Sequence, residues 1–252
     1  MFKKKKHNRK KPRRKKGAAI IWMILCLGLV GGAVYAGIHL EKNTTIHDMR
    51  FTGNEFTSEQ ELADAVELPA GILADSLNLP EIISGLHSLP YIEDVSVNMS
   101  HRGVLTFRVQ EREPIALLVD GSDRVYVSRD GIKLPVIPEN VRDVPLLYGF
   151  PVNPVSDTLR SDAFRQVEKF LTEAKSNVFG WITISEVAWN ENEGVVALTT
   201  ENGVKLIFGQ DDFERKMRHW EAFYTEVVTQ KGIHSFNTVD LRYRDQIVTK
   251  DF

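Results

Sequence analysis

Cysteine is nearly missing from this 252-residue chain: the one present, Cys26, lies inside an apolar run. No internal disulfide is available, so the stability of the remainder must come from packing, for which about 210 residues are ample. Metal-ligand spacing is missing too. The seven histidines, at 7, 39, 47, 87, 101, 219 and 234, are not spaced as ligands, and HExxH, Walker A, GxSxG and paired-cysteine patterns do not occur. With no nucleophile–base pair or phosphate-cradling loop, the chain reads as a non-enzyme that needs no cofactor. Two further absences concern charge. The first sixteen residues contain no acid, and Gly17 to Ile38 contains no charge at all.

What fills those two stretches is informative. Eleven lysines and arginines crowd into Met1 to Lys16, leaving 21 basic against 34 acidic residues in the remainder, a net charge of −13. An acidic body argues against a nucleic-acid groove, and the basic tail has no interleaved aromatics to support one. The uncharged stretch from 17 to 38 is long enough for a helix of about 30 Å, the thickness of a bilayer core. By the positive-inside rule the basic tail 1–16 stays cytoplasmic, and everything after His39 lies outside. Val34-Tyr35-Ala36 resembles a signal-peptidase site, but a signal h-region runs only about 7–15 residues, which favours an uncleaved anchor. Cys26 then reads as a small residue facing lipid or another helix.

Beyond a polar connector at 40–45, Ile46–Phe51 reads as a first strand, closed by Gly53-Asn54. Thr57-Ser58-Glu59-Gln60-Glu61 offers two overlapping capping boxes for a helix with Leu62, Ala65 and Val66 on one face. A second helix follows, with Pro80 in its first turn and Ile82, Ile83, Leu86 and Leu89 as its buried stripe. Alternation in Val95–Met99 and again in Leu105–Val109, around Ser100-His101-Arg102-Gly103, marks a hairpin. This β-α-α-β-β order predicts a compact α+β unit that leads into Glu111-Arg112-Glu113-Pro114. There Pro114 should end the strand while the charges face solvent or fix a junction.

From 115 to 148, short strands are expected between Gly and Pro punctuation. A helix through Ala163–Ala174 should be capped by Ser156 or Asp157, and strands are expected at Ile182–Trp189, Val195–Thr200 and Val204–Phe208. Asp211-Asp212 should cap a helix carrying Phe213, Met217, Trp220, Tyr224 and Val227. The last clear element is a strand over Thr238–Arg244, with Val239, Leu241 and Tyr243 on one face and Asp240, Arg242 and Arg244 on the other.

Three segments taken together resemble a known pattern. Ile46-His47-Asp48-Met49-Arg50-Phe51-Thr52-Gly53-Asn54, Leu89-Pro90-Tyr91-Ile92-Glu93-Asp94-Val95-Ser96-Val97 and Val109–Ala116 are similar to the FtsQ-type POTRA module and its exit into a second domain. Val239-Asp240-Leu241-Arg242-Tyr243 is similar to the closing strand of the FtsQ/DivIB bacterial cell-division family. The resemblance implies an α+β protein with a tail at 1–16, a transmembrane helix at 17–38, a POTRA domain at 45–114 and a β domain at 115–252. It also implies a bitopic, non-catalytic division scaffold of the cytoplasmic membrane, enriched at the septum, that regulates septal peptidoglycan synthesis. The implied partners are FtsB/DivIC-like and FtsL-like membrane coiled-coil proteins, with other division proteins met through the POTRA domain.

The partner site is expected near the last strand. An edge strand with unpaired N–H and C=O groups accepts a partner strand, and Asp240, Arg242, Tyr243 and Arg244 are the candidate contacts. Val239 and Leu241 are better read as the core face of an ordinary strand, whereas Tyr243 matches a family position implicated in partner binding. The chain departs from Gram-negative members of the family after Asp245, where Gln246-Ile247-Val248-Thr249-Lys250 replaces small residues and a tryptophan; Ile247 and Val248 could extend the sheet themselves. The competing reading is a POTRA-bearing component of outer-membrane assembly or secretion, which normally needs a barrel or several POTRA units, and no series of barrel-like strands follows Arg244.

Overall fold

The computed structural model describes residues 16–42, 45–68, 71–100, 102–155 and 158–251, with side chains of the first helix described over 22–35. In chain order, the backbone of Lys16–Lys42 forms α1, followed by β1 (Asp48–Thr52), α2 (Glu59–Val66), α3 (Leu79–His87), β2 (Ile92–Met99) and β3 (Val104–Glu111). Then come β4 (Pro114–Asp120), β5 (Asp123–Ser128), β6 (Lys133–Leu134), β7 (Leu146–Tyr148), α4 (Asp162–Ser176) and α5 (Val178–Thr183). The last third holds β8 (Ile184–Asn190), β9 (Gly194–Thr199), β10 (Lys205–Gly209), α6 (Phe213–Phe223), α7 (Thr229–Lys231), β11 (Phe236–Asp240) and β12 (Val248–Asp251). The strands form a three-stranded sheet in the order β1-β3-β2 and a nine-stranded sheet in the order β12-β11-β10-β9-β8-β7-β4-β5-β6. The fold is thus α+β, as the patterning predicts.

The described residues divide into two compact units. The smaller draws on Met1–Arg50, Leu68–Leu79 and Val97–Phe107, and the larger on Phe51–Glu67, Pro80–Ser96 and Arg108–Phe252. In the smaller unit the described side chains of α1 are all exposed, among them Trp22, Leu27 and Tyr35. Among the described residues no helix is long and apolar enough to cross a membrane. The anchor expected over Gly17–Ile38 therefore rests on the sequence.

Capping starts α2 in the larger unit. Ser58 Oγ accepts the Glu61 N–H at 3.2 Å, and the Glu61 carboxylate accepts the Ser58 N–H at 2.9 Å, so the second of the two possible boxes is the one formed. Leu62 and Val66 of α2 and Ile82 and Leu86 of α3 are buried, and a side chain at Gly85 would meet the Ala65 carbonyl at 2.6 Å. This glycine lets the two helices approach.

Glu111-Arg112-Glu113-Pro114 does not simply face solvent. The Glu111 carboxylate accepts the backbone N–H groups of Glu55, Phe56 and Thr57 at 2.6, 2.7 and 2.7 Å. Arg112 donates to the Pro90 carbonyl at 2.9 Å, to the Ile92 carbonyl and to Asp130 at 3.0 Å. Burial pushes the Asp130 carboxyl up, but hydrogen bonds from Ser128 and Arg112 outweigh it and hold the group below the usual range. Phe56 stacks on Tyr91 at 4.4 Å, and the Tyr91 hydroxyl donates to the Pro135 carbonyl at 2.6 Å. Pro114 does not follow a strand end into a loop; it opens β4, where its missing N–H costs no ladder bond at the first position.

The nine-stranded sheet is covered on one face by α4 and α6. Phe164, Val167, Phe170 and Leu171 join Met217 and Trp220 over Leu118, Val187, Ala197 and Leu206. The expected caps Ser156 and Asp157 lie outside the described residues; α4 starts after Ser161, whose Oγ accepts the Phe164 N–H at 3.1 Å. The strand expected from Ile182 begins only at Ile184. Asn177 caps Gly180 at 2.7 Å and starts α5 there, and the absent side chain of Gly180 leaves room for Met217.

The Asp211-Asp212 expectation is corrected. Asp212 occupies the N-cap position of α6 at φ 52°, but its side chain makes no capping bond and pairs with Arg215 at 2.5 Å. Asp211 accepts the buried Lys216 ammonium at 2.7 Å, with its own carbonyl accepting at 2.6 Å. The aspartates therefore serve cations one turn on, not the helix backbone.

Candidate partner-binding edge

Strand β11 lies between two others. It runs parallel to β10, with Lys205 beside Thr238 and Ile207 beside Asp240, and antiparallel to β12, with Asp240 beside Val248 and Thr238 beside Lys250. The chain covers its own closing strand with Val248–Asp251, so the terminal strand of the sheet on this side is β12, not β11. Val248 is 41% exposed and Lys250 and Asp251 are exposed. The sequence signal for β12 is faint: Ile247, Val248 and Thr249 are β-branched, but four residues show too little alternation to separate a strand from an irregular tail.

The expected strand over Thr238–Arg244 stops at Asp240. The Asp240 side chain accepts the Arg242 backbone N–H at 3.1 Å, a local turn that competes with continued extension. Leu241 donates to the Ile207 carbonyl at 2.9 Å and is buried, whereas Tyr243, expected on the same face, is 47% exposed. The turn breaks the period of two.

The four candidate contacts thus fall into distinct positions. Asp240 is 8% exposed, and its carboxylate holds the Arg242 guanidinium at 2.6 and 3.0 Å. Burial pushes the Asp240 carboxyl up, yet the side-chain and backbone bonds from Arg242 prevail and leave it lowered. The stem of Arg242 lies over Gly209, where an added Cβ would meet its Cγ at 3.2 Å. Tyr243 and Arg244 face outward. Arg215 donates to the Arg244 carbonyl at 3.4 Å, tying the turn to α6.

Beside this turn lies an open groove of 370 Å³ lined by His219, Phe223, Glu226, Val227, Arg244 and Ile247. A π-helical turn over Tyr224–Val228 follows α6 and carries part of this wall; the Thr225 hydroxyl donates to the Glu221 carbonyl at 2.9 Å there. The site offers main-chain groups at a sheet edge, one exposed aromatic and two exposed guanidinium groups, that of Arg242 held by Asp240. Among the described residues no group of three or more His, Cys, Asp or Glu is placed to hold a metal. Such a surface suits binding of a polypeptide by strand addition.

Comparison with known proteins identifies the family. Residues 44–112 match the POTRA domain, FtsQ-type, and residues 113–250 match the FtsQ/DivIB, C-terminal related family. Cell division protein FtsQ of Rhodothermus marinus is 28% identical over 179 residues, covering 64% of this chain, which spans 61% of that protein's length. FtsQ of Geotalea daltonii is 24% identical over 237 residues, covering 93% of this chain and 84% of that protein. The major extracytoplasmic domain of DivIB from Geobacillus stearothermophilus aligns at 19% identity over 49% of this chain and 98% of that one, with a TM-score of 0.32. With a family match extending over more than half of its length, the chain belongs to the FtsQ/DivIB family.

Proposed function

We propose that this protein is a non-catalytic scaffold of bacterial cell division, held in the cytoplasmic membrane by one helix over 17–38. Its POTRA domain spans 45–114 and its β domain 115–252. What supports this reading is the family match over residues 113–250, preceded by an FtsQ-type POTRA match over 44–112. The basic tail and the uncharged run after it give the expected topology, with both domains outside the cytoplasm. Septal enrichment, regulation of septal peptidoglycan synthesis, and binding of FtsB/DivIC-like and FtsL-like coiled-coil proteins belong to the same reading.

Partner capture uses the end of the nine-stranded sheet. A partner strand adds to the outer edge of β12, Tyr243 and Arg244 supply side-chain contacts, and Asp240 with Arg242 shapes the turn that presents them. Main-chain bonds give affinity and the flanking side chains give selectivity. Anchoring all partners in one bilayer raises their effective concentration, which lets a short edge suffice.

The test has two arms. A fluorescent fusion should gather at midcell, and depletion should yield undivided filaments; uniform envelope signal with normal division would reject the division role. Detergent-solubilised full-length protein should co-purify the coiled-coil partners, and Tyr243→Ala should weaken that capture. Unchanged capture by that variant would reject the edge site while leaving the division role standing.

A further inference from the structure

The nine-stranded sheet has a second face, opposite α4 and α6, and its residues are aligned in rows. Cross-strand register joins Leu146, Glu186, Leu198, Lys205 and Thr238 in one row. The next row joins Tyr148, Ala188, Val196, Ile207 and Asp240. None of the apolar members belongs to the core that α4 and α6 cover, and Leu146, Tyr148, Ala188, Val196 and Leu198 are only half-buried. Period-two alternation puts all of them on one surface. Contiguous apolar surface of this kind marks an interaction site.

The charges along this face say what fits it. Glu186 on β8 and Lys205 on β10 flank Leu198 on β9, one strand away on either side. Lys205 pairs with Glu193 at 2.6 Å, yet its side chain remains 36% exposed, while Glu186 has no side-chain hydrogen bond or ion pair among the described residues. A twofold axis parallel to β9 exchanges the two neighbouring strands. It lays Glu186 of one copy over Lys205 of the other, Leu198 on Leu198 and Val196 on Val196, with Ala188 at the flank, where Ile207 is already buried within its own chain. The pattern is self-complementary in both charge and polarity, as a twofold interface requires.

We propose that this face docks a second copy of the same chain, two sheets stacked about a twofold axis along β9. Stacked sheets cross at about 30° because each is twisted, so the matched rows are confined to the central strands β8, β9 and β10. The contact uses side chains that project from the sheet, whereas strand addition at β12 uses main-chain groups in its plane. The two forms of binding draw on different atoms, and the stacking does not depend on the partner assignment.

Full-length protein in detergent tests this directly. In a Cys26→Ser background, single cysteines introduced as Val196→Cys or Leu198→Cys should couple into dimers with a bismaleimide of about 10 Å reach, the spacing of stacked sheets. Ser122→Cys, in the exposed β4–β5 turn three to four strands from the axis, should not couple. Absence of dimers at 196 and 198, or equal coupling at 122, overturns the proposal. Sedimentation should also show a reversible dimer weakened roughly tenfold or more by Val196→Arg, because a cation is then buried on its own symmetry mate. Glu186→Lys, at a half-buried site that leaves the core untouched, should weaken the dimer in the same direction by setting lysine against lysine. A wild-type monomer at all concentrations, or a dimer that Glu186→Lys leaves intact, also overturns it.

Discussion

The Asp240 carboxylate holds the Arg242 guanidinium at 2.6 Å and accepts the Arg242 backbone N–H at 3.1 Å. One side chain thus ends strand β11 and occupies the cation two residues on. Replacement separates the two roles. Asp240→Asn keeps an oxygen for the turn and loses the ionic pair, whereas Asp240→Ala loses both and leaves the turn amide without its acceptor. Discounting for the partial exposure of Arg242, Asp240→Asn should cost about 1 kcal/mol and Asp240→Ala about 2 kcal/mol in urea unfolding. Equal costs would mean that the turn bond contributes nothing. The folded carboxyl is lowered by Arg242, so this contribution is present above the unfolded pKa and is lost as pH falls through the folded one.

Glu111 gathers three backbone N–H groups, from Glu55, Phe56 and Thr57. Glu111→Gln replaces one acceptor oxygen with a donor that faces one of those amides. A loss of about 1–3 kcal/mol is expected. Hydrogen exchange should show the Glu55–Thr57 amides losing protection ahead of the α4 core; unchanged protection would count against the clamp.

The α2 capping box should be detectable alone. Ser58→Ala removes the acceptor for the Glu61 amide and should destabilise by about 1 kcal/mol. The Ser58 backbone N–H, followed by its hydroxyl, lowers the Glu61 pKa from 4.5. Stability from this carboxylate is complete above the unfolded value and falls away as pH drops through the lowered one. Wild-type and Ser58→Ala unfolding curves should therefore draw closer below about pH 4.

Lys216 has a side chain only 2% exposed, while its partner Asp211 is 86% exposed. Removing the cation leaves a hydrated carboxylate, not a buried one, so the usual penalty for breaking a buried pair does not apply. Lys216→Met, which refills the volume, should lie within about 1 kcal/mol of wild type, and Lys216→Ala should cost about 2 kcal/mol or more through the cavity. Thermal denaturation of the two variants distinguishes packing from charge.

Much of this was legible in the chain. Leu62 and Val66, Phe164 to Ala174, and Leu105-Phe107-Val109 declare helix or strand by period alone, because each element buries one face and the sequence must repeat with it. The capping box was legible too, since its two residues are three apart. What was hidden depended on contacts distant in sequence or on competition between local bonds. Glu111 meets amides 54 to 56 positions away. Lys216 reads as an ordinary surface lysine until α6 packs against the sheet. At Asp240 an alternating pattern promised four more residues of strand, and a side chain bonding two residues ahead outcompeted the ladder.

By itself the sequence determined the strongly periodic helices and strands, the absence of any metal or nucleophile motif, and the charge asymmetry from which the topology is read. Those are properties of composition and short-range pattern, which any chain displays before it folds. Only the tertiary structure decided which strand forms the edge and which charges stand free. Strand order and ion pairing depend on residues that meet across the fold, so β12 takes the outer position beside β11, and Arg242 is bound to Asp240 while Tyr243 is left exposed.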